Sequence, residues 1–178
     1  MIKWPNLAIV AAVSAVLLSA ATTAQAQQSI VLEFNPSVQG ESTNPNFANQ
    51  IDVLNASFGA ANPACTGGKG SLNISEVVFT KRADRASVDM ISALSSHQTY
   101  TLAKFRFIRL GFVYQEYQLD NAVLSSLNSA GSDGDPRNLE SWTISFSRAT
   151  VVYTYLDAKG QPAGTESILI TPSACVGN

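Results

Sequence analysis

From residue 30 onward apolar and polar side chains alternate with a period of two, the pattern of strands that bury one face. Ile30-Val31-Leu32-Glu33-Phe34 forms a short run closed by Asn35-Pro36, and a second run over 51–58 ends at Gly59. Over 71–81, Leu72, Ile74 and Glu76 alternate with Asn73, Ser75 and Val77 before the run turns fully apolar at Val77-Val78-Phe79. Further strands are expected over 101–108, 114–127, 142–156 and 166–170, where β-branched and aromatic residues are bounded by Gly, Pro, Asn and Asp. One segment departs from this rhythm. Over 84–97 the apolar residues Val88, Met90, Ile91 and Leu94 are three and four apart, which predicts a short helix capped by Asp84 or Ser87. The expected fold is all-β, a two-sheet β-barrel or sandwich with one short flanking α-helix.

The N-terminus carries a different signal. Lys3 is the only charge in the first 32 positions, and a 15-residue run over 7–21 holds no charge and no proline before Ala24-Gln25-Ala26. A basic start, a short apolar run and an Ala-x-Ala site predict a secretory leader over 1–26, cleaved after Ala26. A bilayer span needs about 20 apolar residues, so no stable membrane anchor is expected. The mature domain is then 27–178, secreted or periplasmic. Cys65 and Cys175 both lie within it, and an even count in an oxidising compartment predicts a Cys65–Cys175 disulfide.

Charge narrows the partners. Eleven Lys and Arg stand against 13 Asp and Glu, a net charge of −2, and losing Lys3 makes it one unit more negative. That balance gives no electrostatic attraction to nucleic acid. The cations cluster at Lys81, Arg82, Arg85, Lys104, Arg106 and Arg109. Lys104, Arg106 and Arg109 lack an evident partner in their own strand, and a neighbouring subunit's Asp133–Asp135 loop is the expected one.

Catalytic chemistry finds little to build on. His97 is the sole histidine and follows a helical segment, the ordinary place for a solvated cation. Thr66-Gly67-Gly68-Lys69-Gly70-Ser71 has Gly after Lys where a phosphate loop needs Ser or Thr, and it precedes a strand. Asp133-Gly134-Asp135 lacks the calcium-loop spacing. No enzyme activity, cofactor or metal is expected.

Read in order, several blocks resemble the haemolysin co-regulated protein (Hcp) family of type VI secretion. These are Gly40-Glu41-Ser42, Ile51-Asp52-Val53-Leu54, and Phe79-Thr80-Lys81-Arg82-Ala83-Asp84-Arg85-Ala86-Ser87 leading into the helix. Tyr117-Gln118-Leu119, Val123-Leu124-Ser125-Ser126, Glu140-Ser141, Tyr153-Thr154-Tyr155 and Asp157-Ala158-Lys159-Gly160 follow. The resemblance spans 34–170 and implies a β-barrel subunit of homo-hexameric rings that stack into a tube, with effector proteins as cargo in the lumen and no catalysis. The leader and the two cysteines depart from the family pattern. The second reading is an exported, non-catalytic binding module with the same fold that does not form tubes.

Overall fold

The computed structural model describes residues 28–63, 71–134 and 136–172; the leader, Cys65, Cys175 and Asp135 lie outside them. Its strands are β1 (Ser29–Asn35), β2 (Ile51–Val53), β3 (Asn55–Ser57), β4 (Ala60–Ala61), β5 (Asn73–Ile74), β6 (Val77–Arg82), β7 (Thr99–Arg109), β8 (Phe112–Ala130), β9 (Leu139–Ser145), β10 (Arg148–Leu156) and β11 (Pro162–Ile170). The helix, α1, is Ala86–Ser96. This is the expected all-β fold with one short helix, but in place of a barrel or sandwich of two sheets one large sheet, which does not close, forms the main layer. A nine-stranded antiparallel sheet runs β2-β1-β7-β8-β9-β6-β3, with β10 on β8 and β11 on β10, while β4 and β5 pair by themselves. The long path curls without a ladder between its two ends. Those ends, β2 and β3, are separated in sequence by Leu54 alone, whose N–H donates to the Thr80 carbonyl at 2.8 Å.

Three expected strands are therefore divided. The 51–58 run changes partner at Leu54, from β1 to β6. The 71–81 run breaks into β5 and β6. The 142–156 run breaks at Phe146-Ser147, where the Ser147 N–H (2.9 Å) and Oγ (3.0 Å) both donate to the Asp120 carbonyl, opposite Asn121 at φ 52°. That break shifts the inward phase from Trp142 and Ile144 to Ala149, so one unbroken alternation cannot describe both halves.

The core lies inside the curl. Phe34 packs on Tyr100 at 4.3 Å and Phe79 meets Phe105 edge-on at 5.4 Å, with Leu32, Ile51, Leu119, Leu124, Trp142 and Ile144 also fully buried. α1 covers this core with Ala86, Ser87, Met90 and Ala93. The expected inward face included Val88 and Ile91, but these are 74% and 46% exposed. Polar contacts of Ser87, described below, orient the helix instead.

The loop between β1 and β2 folds on itself through Gly40 N–H to Asn49 O (2.8 Å) and Ser42 N–H to Gln50 O (2.9 Å). A Cβ on Gly40 would collide with the Gln50 carbonyl oxygen and stand 2.8 Å from the Ile51 Cα, both backbone atoms. Gly40→Ala is expected to lower the unfolding free energy by about 1–3 kcal/mol, the usual cost of overpacking. Urea denaturation at fixed pH measures it, and an unchanged midpoint would refute the close approach.

Candidate assembly surface

The most enclosed charge is Lys81, fully buried beneath the start of α1. Its Nζ reaches Glu140 Oε2 at 2.9 Å, Asp84 Oδ1 at 2.8 Å, Ser87 Oγ at 2.8 Å and the Arg82 carbonyl at 3.0 Å. Glu140 Oε2 also accepts from Ser87 Oγ at 2.9 Å and from Trp142 Nε1 at 3.0 Å. Burial pushes the Glu140 carboxyl up. The Trp142 N–H, the Lys81 ammonium by hydrogen bond and by charge, and the Ser87 hydroxyl outweigh it and hold the carboxyl below its ordinary value. The N-cap position is Arg85, without a side-chain cap, and Asp84 just before it accepts the Ala86 N–H at 3.0 Å, while Ser87 Oγ accepts the Asp84 N–H at 3.1 Å. Lys81 is thus a structural ion, and it leaves the exposed cationic cluster in which its place in the sequence had set it.

Arg106 corrects a second expectation. It is not waiting for another subunit's carboxylate. Its guanidinium spans three elements, reaching Glu33 on β1 at 2.6 Å and Glu116 on β8 at 2.7 Å. Gln50 Oε1 accepts from it at 3.2 Å and the Phe47 ring lies 5.5 Å away, so Arg106 also fastens the β1–β2 loop to the sheet. Lys104 and the exposed Arg109 make no ion pair among the described residues. Glu41 links the same loop to the helix start, accepting the Arg85 N–H at 3.1 Å and pairing with Arg137 at 3.2 Å. Each residue of Gly40-Glu41-Ser42 therefore acts locally. Gly40 permits the close approach, Glu41 bridges, and the Ser42 hydroxyl accepts the Asn44 N–H at 3.3 Å.

His97 closes α1 in the left-handed conformation and is exposed, in keeping with a solvated helix end. Asp133 lies in an exposed turn. The Thr66–Gly70 segment lies outside the described residues, as does Asp135.

Two features face outward without a described partner. The first is the ribbon of β10 and β11, which exposes Tyr153 (50%), Tyr155, Ile168 (62%) and Leu169. Among the described residues β11 pairs only with β10, leaving its far edge without a ladder there. The second is an aromatic cleft of about 320 Å³, lined by Phe58, Phe105, Phe107, Tyr114 and Tyr117 among others. Phe58 stacks on Tyr117 at 4.9 Å, and Phe107 meets Tyr117 edge-on at 5.7 Å. The alternation predicts 142–156 and 166–170 as separate strands and does not set them side by side as an exposed ribbon. The available signal was Ile168-Leu169-Ile170, three large apolar residues in succession, which no single inward face can bury.

Comparison with known proteins links this chain to a family. The family described as "Type VI secretion system effector, Hcp" matches residues 14–153. "Protein hcp1" of Pseudomonas aeruginosa is 32% identical over 136 residues, covering 71% of this chain and 84% of that protein. Among solved structures, one of a type six secretion system protein superposes with a TM-score of 0.76 at 24% identity, covering 82% of this chain and 96% of that one. Hcp1 from Salmonella typhimurium superposes at 0.69 with 20% identity, covering 83% and 99%. At such identities the superpositions speak for the fold alone.

Proposed function

The chain belongs to the Hcp family of type VI secretion, and we propose from that membership that it is a structural subunit of a homo-hexameric ring that stacks into a tube. The observation that carries this reading is the β10–β11 ribbon. Tyr153, Tyr155 and Ile168 are exposed on one face of this ribbon and Leu169 on the other, beside a strand edge that has no ladder among the described residues, a combination that soluble monomers avoid and symmetric assembly hides. Its role is structural, not catalytic, with effector proteins as the cargo of the lumen.

On the same reading the subunit works outside the cytoplasm, with the leader removed after Ala26 and Cys65 joined to Cys175. The even count of cysteines in an exported chain is what supports the pairing. Bridging requires Cα atoms within about 7 Å of each other.

Native mass spectrometry of protein exported to the periplasm tests the assembly. The expected species is six subunits at micromolar concentration and low salt. A stable monomer under those conditions would overturn the ring and leave the exported binding module. Denatured mass of the same sample reads the start at Gln27 and the loss of two hydrogens; an intact Met1 or two free thiols would remove those two parts.

A further inference from the structure

We infer that the mouth of the curled sheet binds a neutral oligosaccharide, which lies against the rings of Phe107, Tyr114 and Tyr117 and is hydrogen-bonded by Gln28 and Gln115. The site goes beyond the ring reading, shares no residue with the β10–β11 ribbon, and stands whether or not rings form. The aromatic cleft described above opens where the starts of β1, β6 and β8 meet the ends of β3 and β7, over the buried Val77 and Phe105. Beside it is a second cleft of about 460 Å³, lined by Leu54 and Asn55 among others. The two share Gln28, Ala56, Ser57 and Phe107, so they form one groove. The mouths of curled β-sheets are favoured places for small ligands, and a groove of this size can hold one.

The lining selects the ligand. None of the described residues that line the groove is charged, so an ionic ligand would lose its water there without gaining a counter-charge. A wholly apolar ligand fits no better, because it would strip water from the amides and phenol hydroxyls on the same walls. Tyr117 stacks on Phe58 at 4.9 Å and meets Phe107 edge-on at 5.7 Å, and Phe107 meets Tyr114 edge-on at 6.3 Å. These half-buried rings pack on one another, so they form a stepped wall and leave no space between them for a caged cation. A pyranose suits such a wall. Its C–H face carries a slight positive charge that lies well against the negative face of an aromatic ring, and its rim is hydroxyl.

The polar groups are paired so as to leave what a hydroxyl needs. Gln28 Nε2 donates to the Tyr114 hydroxyl at 2.7 Å, and Gln115 Nε2 donates to the Tyr117 hydroxyl at 2.8 Å. Each pair uses an amide donor and a phenol acceptor. It leaves the amide Oε1, an acceptor, beside the phenol O–H, a donor, and neither makes another side-chain hydrogen bond among the described residues. Burial, with Tyr114 nearby, pushes the Tyr117 phenol above its ordinary value, so it keeps that proton at neutral pH. A sugar hydroxyl donates and accepts at once, and one hydroxyl can answer each pair. The arrangement occurs twice on β8, at Tyr114 and at Tyr117, as the successive hydroxyls along a sugar's edge require.

The test is saturation-transfer NMR on the full exported chain with cellotriose and triacetylchitotriose, two neutral sugars that separate plain hydroxyls from N-acetyl groups as the preferred contact. Irradiating the aromatic protons of the wild-type protein is expected to saturate the ring C–H protons of at least one sugar, and titration calorimetry then gives its dissociation constant. Tyr114→Ala is expected to weaken binding by about tenfold through lost stacking, and Tyr114→Phe, which keeps the ring and loses the hydroxyl, by about threefold. Gln115→Ala should also cost about threefold. Circular dichroism checks that each variant is folded, and the wild-type NMR reading stands without them. No transfer to either sugar at millimolar concentration, a dissociation constant that ignores both alanine variants, or tighter binding of choline or p-cresol than of either sugar would each overturn the site. A protein that never assembles overturns the ring alone, because this groove is read on the single subunit.

Discussion

Glu140→Ala is expected to lower the unfolding free energy by about 3–5 kcal/mol, because it leaves the buried Lys81 ammonium without its main counter-charge. The loss strands more than one group. Trp142 Nε1 and Ser87 Oγ both donate to the same oxygen, and Ser87 is the tie that orients α1. Chemical denaturation of the dissociated subunit reads the effect, and a loss under about 1 kcal/mol would show that the network contributes little. The same carboxyl sets an acid limit. Its value in the folded state is depressed, so its contribution is fully present above the ordinary carboxylate value and is lost as pH falls through the folded value. Glu140→Gln should flatten that part of the stability–pH curve. An unchanged acid limb would place the dependence on other carboxylates.

Arg106→Glu should act on the fold and not merely on association. It would set a third carboxylate between Glu33 and Glu116 and release Gln50 and Phe47 from the sheet. Glu33 is 42% exposed and partly screened, which reduces the expected loss to about 2–3 kcal/mol, below the full cost of breaking a buried pair. The measurement is the thermal midpoint of the subunit at a concentration too low for rings. A normal midpoint with failed assembly would restore Arg106 to the contact surface.

Much of the fold was legible because a half-buried strand writes its two faces directly into the alternation. The alternation holds over stretches, Ala103 with Phe105 in β7 and Ala122 with Leu124 in β8, but β8 changes phase between Leu119 and Ala122 at Asn121, so Val123 leaves the side of Leu119. The divided strands were not legible, since a change of partner at Leu54 or Ser147 depends on which backbone lies alongside, and alternation records only faces. Lys81 and Glu140 did leave a signal. Lys81 stands in phase with Val77 and Phe79, and Glu140 in phase with Trp142 and Ile144, so both fall on inward positions of their strands. They pair directly in register across β6 and β9. Counting charges by type grouped Lys81 with surface cations, whereas counting by phase would have placed it inside. Arg106 stayed hidden because its partners come from β1, β8 and a loop, and only the third dimension brings them together.

The side chains gathered around the Lys81 ammonium also constrain how this sequence can drift. A buried ion pair exchanged as a set for apolar residues of matching volume often leaves stability unchanged or higher, whereas removing one member leaves a naked charge inside. Several kcal/mol is a large share of the roughly 5–15 kcal/mol that holds a domain folded. Lys81, Asp84, Ser87, Glu140 and Trp142 are drawn from two segments more than fifty residues apart, so no single local change can replace them together. A more apolar arrangement can be just as stable and still be unreachable one substitution at a time, because the first step is the costly one.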